Sequence, residues 1–359
     1  MTDANLTDSL RDRVQTAAGQ GTALVICGSG SKAFLTGTAA DETVDMTRHA
    51  GIVHYAPQEL VLTVRAGTHL RDVEALLAEH GQMLAFEPPH YGPQATVGGT
   101  LAAGLSGPRR ASAGAARDFV LGLRILNGRG EVLRFGGETI KNVAGYDVSR
   151  LMVGAFGTLG VLLDASFKVL PKPAQECTRV QDAPDAGAAL KRLRETVLKP
   201  WPLSASAWLD GRLYLRLSGA APAVAQAARA LGGETLADDA TFWRDLREQQ
   251  FAFFTDPRPL WRLAVAPAAT LLPETLVAPA DRLMEWDGAL RWVHSTAPAA
   301  TLFAAAQARG GHATLWRNAP AGTPRRLQLP PALATLHQRL KAAFDPHGIL
   351  NRGAFHPEP

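Results

Sequence analysis

Residues 88–110, PPHYGPQATVGGTLAAGLSGPRR, constrain the fold more than any other part of the chain. Five glycines (Gly92, Gly98, Gly99, Gly104 and Gly107) and several alanines crowd a stretch with no acidic residue. Residues this small cannot fill a core by bulk; they serve where the main chain bends sharply or approaches a ligand closely. The stretch ends in Arg109 and Arg110, with Arg117 soon after, which supplies positive charge suited to an anionic group. Taken alone, it reads equally well as an irregular surface loop.

A second loop narrows the choice. The strand-like run ALVIC enters GSGSKAFLTG, where Gly28, Ser29, Gly30, Ser31, Lys32 and Ala33 satisfy a relaxed dinucleotide fingerprint. A Rossmann fold would need a crossover helix of about a dozen residues next. Gly37 and the strand-like TVDM arrive too soon for one. What remains is a turn of backbone N–H groups with two hydroxyls and a lysine, a good holder for pyrophosphate without a helix dipole. One extended dinucleotide lying between the two loops explains both.

At 359 residues the expectation is two domains. Glycine is concentrated in residues 92–160 and all seven tryptophans lie beyond residue 200. The composition therefore changes between them, and the boundary is placed at Pro171-Lys172-Pro173, where the strand-like GVLLDASFKVL stops. The divisions expected are residues 1–173, then 174–330, then a C-terminal helix and tail, 331–359. The first part reads as a mixed sheet, with a helix capped by Thr68. The second reads as α+β, with a hairpin turning at Asp210-Gly211. The segment FWRDLREQQFAFFTDP, residues 242–257, is either ordinary helix packing or exposed aromatic interface.

With 46% hydrophobic and 19% charged residues the chain is an ordinary globular one. No apolar run is long enough to cross a bilayer, and the N-terminal MTDANLTDSL has acids where a secretory signal is basic, so a cytoplasmic location is expected. A net charge of +4 without a dense basic tract gives no reason for a nucleic-acid partner. Cys27 and Cys177, the only cysteines, are too few for an iron–sulfur cluster or Cys-rich metal site and read as core residues. Any electron transfer must then use an organic cofactor, and no metal is expected.

Both loops, together with KNVAGYDVSRLMVGAFGTLGVLLDASFKVLPKP at residues 141–173, resemble the FAD-binding domain of the vanillyl-alcohol oxidase and p-cresol methylhydroxylase superfamily. The order ATxGG, then GYDxxxLxxGxxGTLGV, then a strand ending in proline is matched. The tail FDPHGILNRG is similar to that of the superfamily's 2-hydroxy-acid oxidoreductases, and within these the phrases VICGSGSKAFLTG, GQMLAFEPPHYG, GLSGPRR, FGGETIKNVAGYDVSRLMVG, GALRWVHST and GGHATLWR resemble the smaller FAD-binding, or E, subunits of glycolate oxidases. The tail departs at Arg352, where the superfamily usually has proline.

The resemblance implies an α+β fold, a two-lobed PCMH-type FAD-binding domain followed by an α+β cap domain with an antiparallel sheet. It implies FAD held non-covalently, because Lys32 stands where covalent members carry histidine. Gly28, Ser29, Gly30, Ser31 and Lys32 would hold the pyrophosphate. Thr96, Val97, Gly98 and Gly99, with Gly104 beyond them, would approach the flavin and ribityl chain, and Gly160 and Val161 the adenine side. Lys141, Tyr146 and Asp147 are either a structural hydrogen-bond cluster or a flavin-edge group.

For catalysis the chain shows less. Oxidation of a 2-hydroxy acid needs a cation for the carboxylate, a base or metal at the hydroxyl, and a hydride acceptor. Arg291 and His294 are either carboxylate holders or residues in surface or core pairing, and His312 is either a structural residue or the remnant of a His-rich motif of related dehydrogenases. The implied partners are a larger FAD-binding glycolate oxidase subunit, an iron–sulfur subunit and a small 2-hydroxy acid, with peripheral attachment to the inner face of the cytoplasmic membrane through the complex. The alternatives are a self-contained D-lactate-type dehydrogenase and a non-catalytic assembly subunit.

Overall fold

A computed structural model describes residues 3–36, 41–137 and 147–354. Contacts divide the chain into two units, one made of Met1–Ser106, Ala115–Lys172 and Leu329–Pro359, the other of Gly107–Gly114 and Pro173–Gln328.

In the first unit, helix α1 (Thr7–Gln20) buries Leu10, Val14 and Ala17, one stripe at helical spacing, and ends at Gly21 in the left-handed conformation. Strands β1 (Leu24–Cys27) and β2 (Glu42–Asp45) pair in parallel, and among the described residues between them the only helical element is the turn Ala33–Leu35. Five more strands form an antiparallel sheet: β3 (Ile52–Ala56), β4 (Val61–Arg65), β5 (Val120–Leu126), β6 (Val132–Gly136) and β7 (Val161–Lys168), in the order β3-β4-β7-β5-β6. The central place of β7 follows from its sequence, since VLLDASF is buried on both faces. Its one acid, Asp164, is paired with Arg124 of β5 at 3.0 Å.

Helix α2 (Leu70–Glu79) buries Leu70, Val73 and Leu77, and helix α3 (Val97–Ala103) packs on β4 and β7. The cap expected from Thr68 is not made. Its hydroxyl instead accepts from the Gly51 N–H at 2.9 Å and donates to the Gly51 carbonyl at 3.2 Å, and His69 occupies the capping position without a side-chain bond. A buried threonine facing a backbone N–H and C=O of a neighbouring segment satisfies both, and that tertiary pairing overrides the local capping preference.

The second unit is built on one eight-stranded antiparallel sheet. Its strands are β8 (Gln175–Asp182), β9 (Leu203–Leu209), β10 (Arg212–Gly219), β11 (Glu234–Thr235), β12 (Leu260–Ala264), β13 (Arg282–Glu285), β14 (Leu290–His294) and β15 (His312–Arg317), ordered β11-β8-β10-β9-β13-β14-β12-β15. The β9–β10 hairpin turns at Asp210 and Gly211, both at positive φ, as a two-residue turn between twisted strands requires. Helix α4 (Ala186–Val197) packs on Trp208, Leu213, Leu215 and Met284. Helix α5 (Ala221–Leu231) covers β8 and β10, helix α6 (Asp239–Arg247) buries Trp243 and Leu246, and helix α7 (Ala299–Gln307) sits on Trp261, Leu263, Val293, Ala313 and Leu315. The chain then returns to the first unit with helix α8 (Pro331–Phe344) and the tail.

One expectation needs correction, and of the two readings of residues 242–257 helix packing is the one that holds. Residues 107–114 belong to the second unit although they precede the sequence boundary. Within that unit Arg109 donates to Glu176 at 2.5 Å, Ser112 to the Ser204 carbonyl at 2.8 Å, and the Trp286 indole to the Gly107 carbonyl at 3.0 Å. Nor is residues 242–257 an exposed aromatic face: Trp243 and Phe254 are buried, Phe242 stacks on Tyr214 at 4.1 Å, and Phe253 lies 4.8 Å from the His294 ring.

Candidate functional site

The first unit contains a cavity in which the two glycine-bearing loops meet. Gly28, Ser29, Gly30, Ser31 and Lys32 line it from the loop after β1, and Thr96, Gly98 and Gly99 from the start of α3. Cys27, Ala66, Ala102, Ala103, Phe156, Gly157, Gly160, Leu162 and Asn351 also contribute to its walls. The loops approach so closely that a Cβ added to Gly28 would lie 2.3 Å from the Thr96 hydroxyl oxygen. Only glycine fits there.

Hydrogen bonds fix the second loop. Val97 N–H donates to the Thr68 carbonyl at 2.9 Å, Gly98 N–H to the Ala66 carbonyl at 2.7 Å, and Gly99 N–H to the Thr96 hydroxyl at 3.2 Å. The first loop is different: among the described residues the amides of Gly28, Ser29 and Ser31 have no hydrogen-bond partner in the chain. Amides beside a cavity that the fold leaves unspent call for an acceptor from outside. Lys32, largely buried, brings a cation to the same loop; its ammonium donates to the His90 carbonyl at 3.1 Å and lies 5.8 Å from the Tyr91 ring centroid. The Cys27 thiol donates to the Gly28 carbonyl at 3.1 Å, and burial, then Asp45, raise its pKa.

The far end of the chain closes the site. Asn351 accepts from the Ile26 N–H at 2.6 Å and donates to the Phe156 carbonyl at 2.6 Å, while its own N–H donates to the Leu24 carbonyl. Arg352, in the place of the usual proline, donates to the Gly348 carbonyl at 2.5 Å. Asp345 organises the turn that delivers them, accepting from Ile349 and Leu350 N–H and from Lys341 at 2.6 Å.

Other residues singled out in the sequence lie elsewhere. Val97 and Val161 are core residues that do not line the cavity. Gly104 is the left-handed C-cap of α3, where a Cβ would meet the Gly154 backbone at 2.8 Å, so it shapes the wall from behind. Lys141 and Tyr146 fall outside the described residues. Asp147 accepts from the Arg150 N–H at 3.2 Å and pairs with that guanidinium at 3.0 Å, a helix cap. Arg109 and Arg110 are absent from the cavity wall.

In the second unit Arg291 is no carboxylate holder. It is buried and spends its guanidinium on the carbonyls of Ala269, Thr270 and Gly288, and burial, then Arg309, Arg194 and Arg282, lower its pKa to about 10. His294 is also buried, donating to the Phe253 carbonyl at 2.7 Å. His312 opens the edge strand β15; loss of hydration, then Arg262 and Arg110, lower its pKa. Among the described residues no group of three or more His, Cys, Asp or Glu is arranged to hold a metal ion.

Sequence reasoning missed the small wall residues Ala66, Ala102 and Ala103 and the pair Phe156-Gly157. The last two lie inside the quoted GAFGTLG phrase, but their approach to the cavity depends on a left-handed turn at each, φ 52° and 70°.

Comparison with known proteins agrees with this geometry. A family model described as an FAD binding domain matches residues 4–136. The glycolate oxidase subunit GlcE of Escherichia coli is 44% identical over 356 residues, 99% of each chain. The glycolate oxidase subunit GlcD of Bacillus subtilis is 35% identical over 129 residues, 35% of this chain and 27% of that protein. A D-lactate dehydrogenase of Anaerostipes hadrus is 30% identical over 150 residues, 40% of this chain and 31% of that one. Among solved structures, an alkyldihydroxyacetonephosphate synthase superposes with a TM-score of 0.65 at 15% identity, covering 96% of this chain and 74% of that one, which shows a shared fold. Near-complete alignment at this identity, with a cavity built from the two loops of an FAD-binding domain, places the chain in the GlcE family of glycolate oxidase subunits.

Proposed function

We propose that this chain is the FAD-binding subunit of a glycolate oxidase that converts glycolate to glyoxylate and hands the electrons to partner subunits. The observation that carries the proposal is the cavity of the first unit, where unspent amides, two serine hydroxyls and Lys32 face small-residue walls. These groups fit a dinucleotide. The amides of Gly28, Ser29 and Ser31 with Lys32 would hold the diphosphate; Thr96, Gly98 and Gly99 would lie along the flavin and ribityl chain, and Gly160 at the adenine side. Asn351 and Phe156 would set the width of the opening by tying β1 to the segment 154–160. When bound, the flavin supplies the two-electron acceptor that no side chain offers. Attachment is non-covalent, since Lys32 occupies the linking position.

The second unit is assigned to substrate and interface. Its partners are a larger FAD-binding subunit and an iron–sulfur subunit, because two cysteines, Cys27 and Cys177, in different units cannot build a cluster here. The complex is cytoplasmic, at the inner face of the membrane. No described helix is long and apolar enough to cross a bilayer, so attachment runs through the partners.

The experiment compares the purified chain with the reconstituted complex, reading flavin absorbance and glycolate-dependent dye reduction. The expected result is a yellow chain whose glycolate turnover is a small fraction of that of the complex. Full turnover by the chain alone would make it a self-contained 2-hydroxy-acid dehydrogenase. A chain that cannot be loaded with FAD yet still joins its partners would be an assembly subunit.

A further inference from the structure

Helix α8 is as long as α1, yet where α1 buries three residues α8 buries none. Its apolar residues are nevertheless ordered. Leu329, Leu333, Leu336, Leu340 and Ala343 recur at spacings of four, three, four and three, the repeat that forms a seam for a facing helix. Leu333 and Leu336 are 47% and 59% exposed, Ala343 is exposed, and Leu329 and Leu340 are half-buried.

A different side of the helix is attached to the first unit. The Phe344 ring meets that of Phe135 at 6.2 Å and its carbonyl accepts from the Gly128 N–H at 2.9 Å, while the Lys341 ammonium donates to the carbonyls of Thr158 at 2.8 Å and Leu350 at 2.7 Å. With Ala334 and His337, both half-buried, these residues share one face at helical spacing. The helix is pinned near its C-terminal end, and the leucine stripe lies beside the pinned face, open to solvent. A helix of 14 residues is marginal by itself and takes its stability in proteins from packing an apolar face. Here that packing is incomplete within the chain.

A member of a family of oxidase subunits has other subunits to meet, and charge narrows what fits this stripe. Residues 288–344 contain no Asp or Glu. Arg339 is exposed, forms no ion pair among the described residues, and borders the stripe, three positions after Leu336 and four before Ala343. A second copy of this chain would set the same basic border against it, and like charges face to face disfavour that pairing. A lipid surface suits a helix with a Lys- and Arg-rich polar face and aromatic residues on the other. The polar positions here include the neutral Thr335 and Gln338, and the stripe is aliphatic.

We propose that α8 is a docking surface for an amphipathic helix of a partner subunit whose apolar seam is flanked by carboxylates. The leucines pack against that seam, and Arg339 pairs with an acid at its edge. The surface belongs to the first unit. It rests on the oxidase-subunit reading for the existence of the partner and adds the place where that partner docks.

The test co-expresses the tagged full-length chain with the other subunits of its oxidase and reads what the tag retains, with flavin absorbance and thermal unfolding of each variant. In L333Q/L336Q partner retention should fall roughly tenfold or more at unchanged flavin content and unfolding temperature, because both leucines are exposed in the chain alone. L198Q, at an exposed leucine just past α4, should leave retention as it was. R339E should weaken retention more at low salt than at high salt. In R339K a carbodiimide, which joins an amine to a carboxylate in contact with it, should link position 339 to an Asp or Glu of the partner, located by mass spectrometry. Unchanged retention in L333Q/L336Q would overturn the surface, as would a complex that forms without a crosslink at position 339. So would a dimer of the chain alone, or its binding to vesicles of phosphatidylcholine and phosphatidylserine, that L333Q/L336Q abolishes. A native chain that retains no partner and turns over glycolate fully by itself would overturn the subunit reading, and the surface with it.

Discussion

At the scale of single residues the cavity is governed by contacts that leave no slack. Gly28 and Thr96 touch across the two loops, so Gly28→Ala forces a methyl against the Thr96 hydroxyl 2.3 Å away. FAD affinity should fall by roughly tenfold or more, measured by flavin fluorescence titration, and Thr96→Ala in the same chain should recover part of it by removing the hydroxyl. Asn351 satisfies one donor and one acceptor of the backbone, at Ile26 and Phe156, from 325 and 195 residues away. Asn351→Leu strands both groups, and a loss of about 2–4 kcal/mol is expected in urea unfolding. Local pattern showed the glycines of both loops but could not show what Arg291, His294 or Arg262 would meet. Arg291 and His294 left a carboxylate and core pairing equally open in the sequence, and each found main-chain carbonyls in the core. Arg262, in an otherwise apolar strand, attracted no notice because its tryptophan neighbours are 24 to 54 positions away in the chain.

At the scale of elements, turn chemistry and periodicity carried well. The Asp210-Gly211 hairpin forms because both residues accept positive φ, and α1, α2 and α4 form on their buried stripes. What escaped was assignment of elements to units. Residues 107–114 look like a continuation of the glycine-rich loop, but Arg109 finds Glu176 and Arg110 finds Trp286, and those pairings draw the segment into the second unit. The tail was legible as a motif, and the structure supplies its cause. Asp345 is fully buried, collecting two backbone N–H groups and the Lys341 ammonium, and Gly128 packs so tightly on it that a Cβ would lie 2.2 Å from its Oδ1. Asp345→Ala leaves two amides without an acceptor and takes the counter-charge from the Lys341 ammonium, which keeps the Thr158 and Leu350 carbonyls, and should cost about 3–5 kcal/mol, with loss of FAD affinity following because Asn351 is no longer held; thermal unfolding with and without FAD reads both effects.

At the scale of the whole molecule, pH is the general lever, and His49 is the group that sets it. It is fully buried, accepts the Leu6 N–H at 2.9 Å, and burial, then Arg65, lower its pKa from 6.5 to about 4. The unfolded chain takes a proton near pH 6.5 that the folded one refuses until about pH 4. The contribution is therefore complete above the unfolded value and is lost as pH falls through that window, by up to about 3 kcal/mol. Urea midpoints at pH 7.5 and 4.5 should differ less in His49→Asn than in the native chain. The central claim, however, is that the main-chain amides of Gly28, Ser29 and Ser31 and the Lys32 ammonium grip a diphosphate. Equilibrium titration of the flavin-free chain with FAD, FMN and riboflavin tests it most directly. The account predicts that FAD binds by far the tightest and riboflavin the weakest; riboflavin binding as tightly as FAD would contradict it.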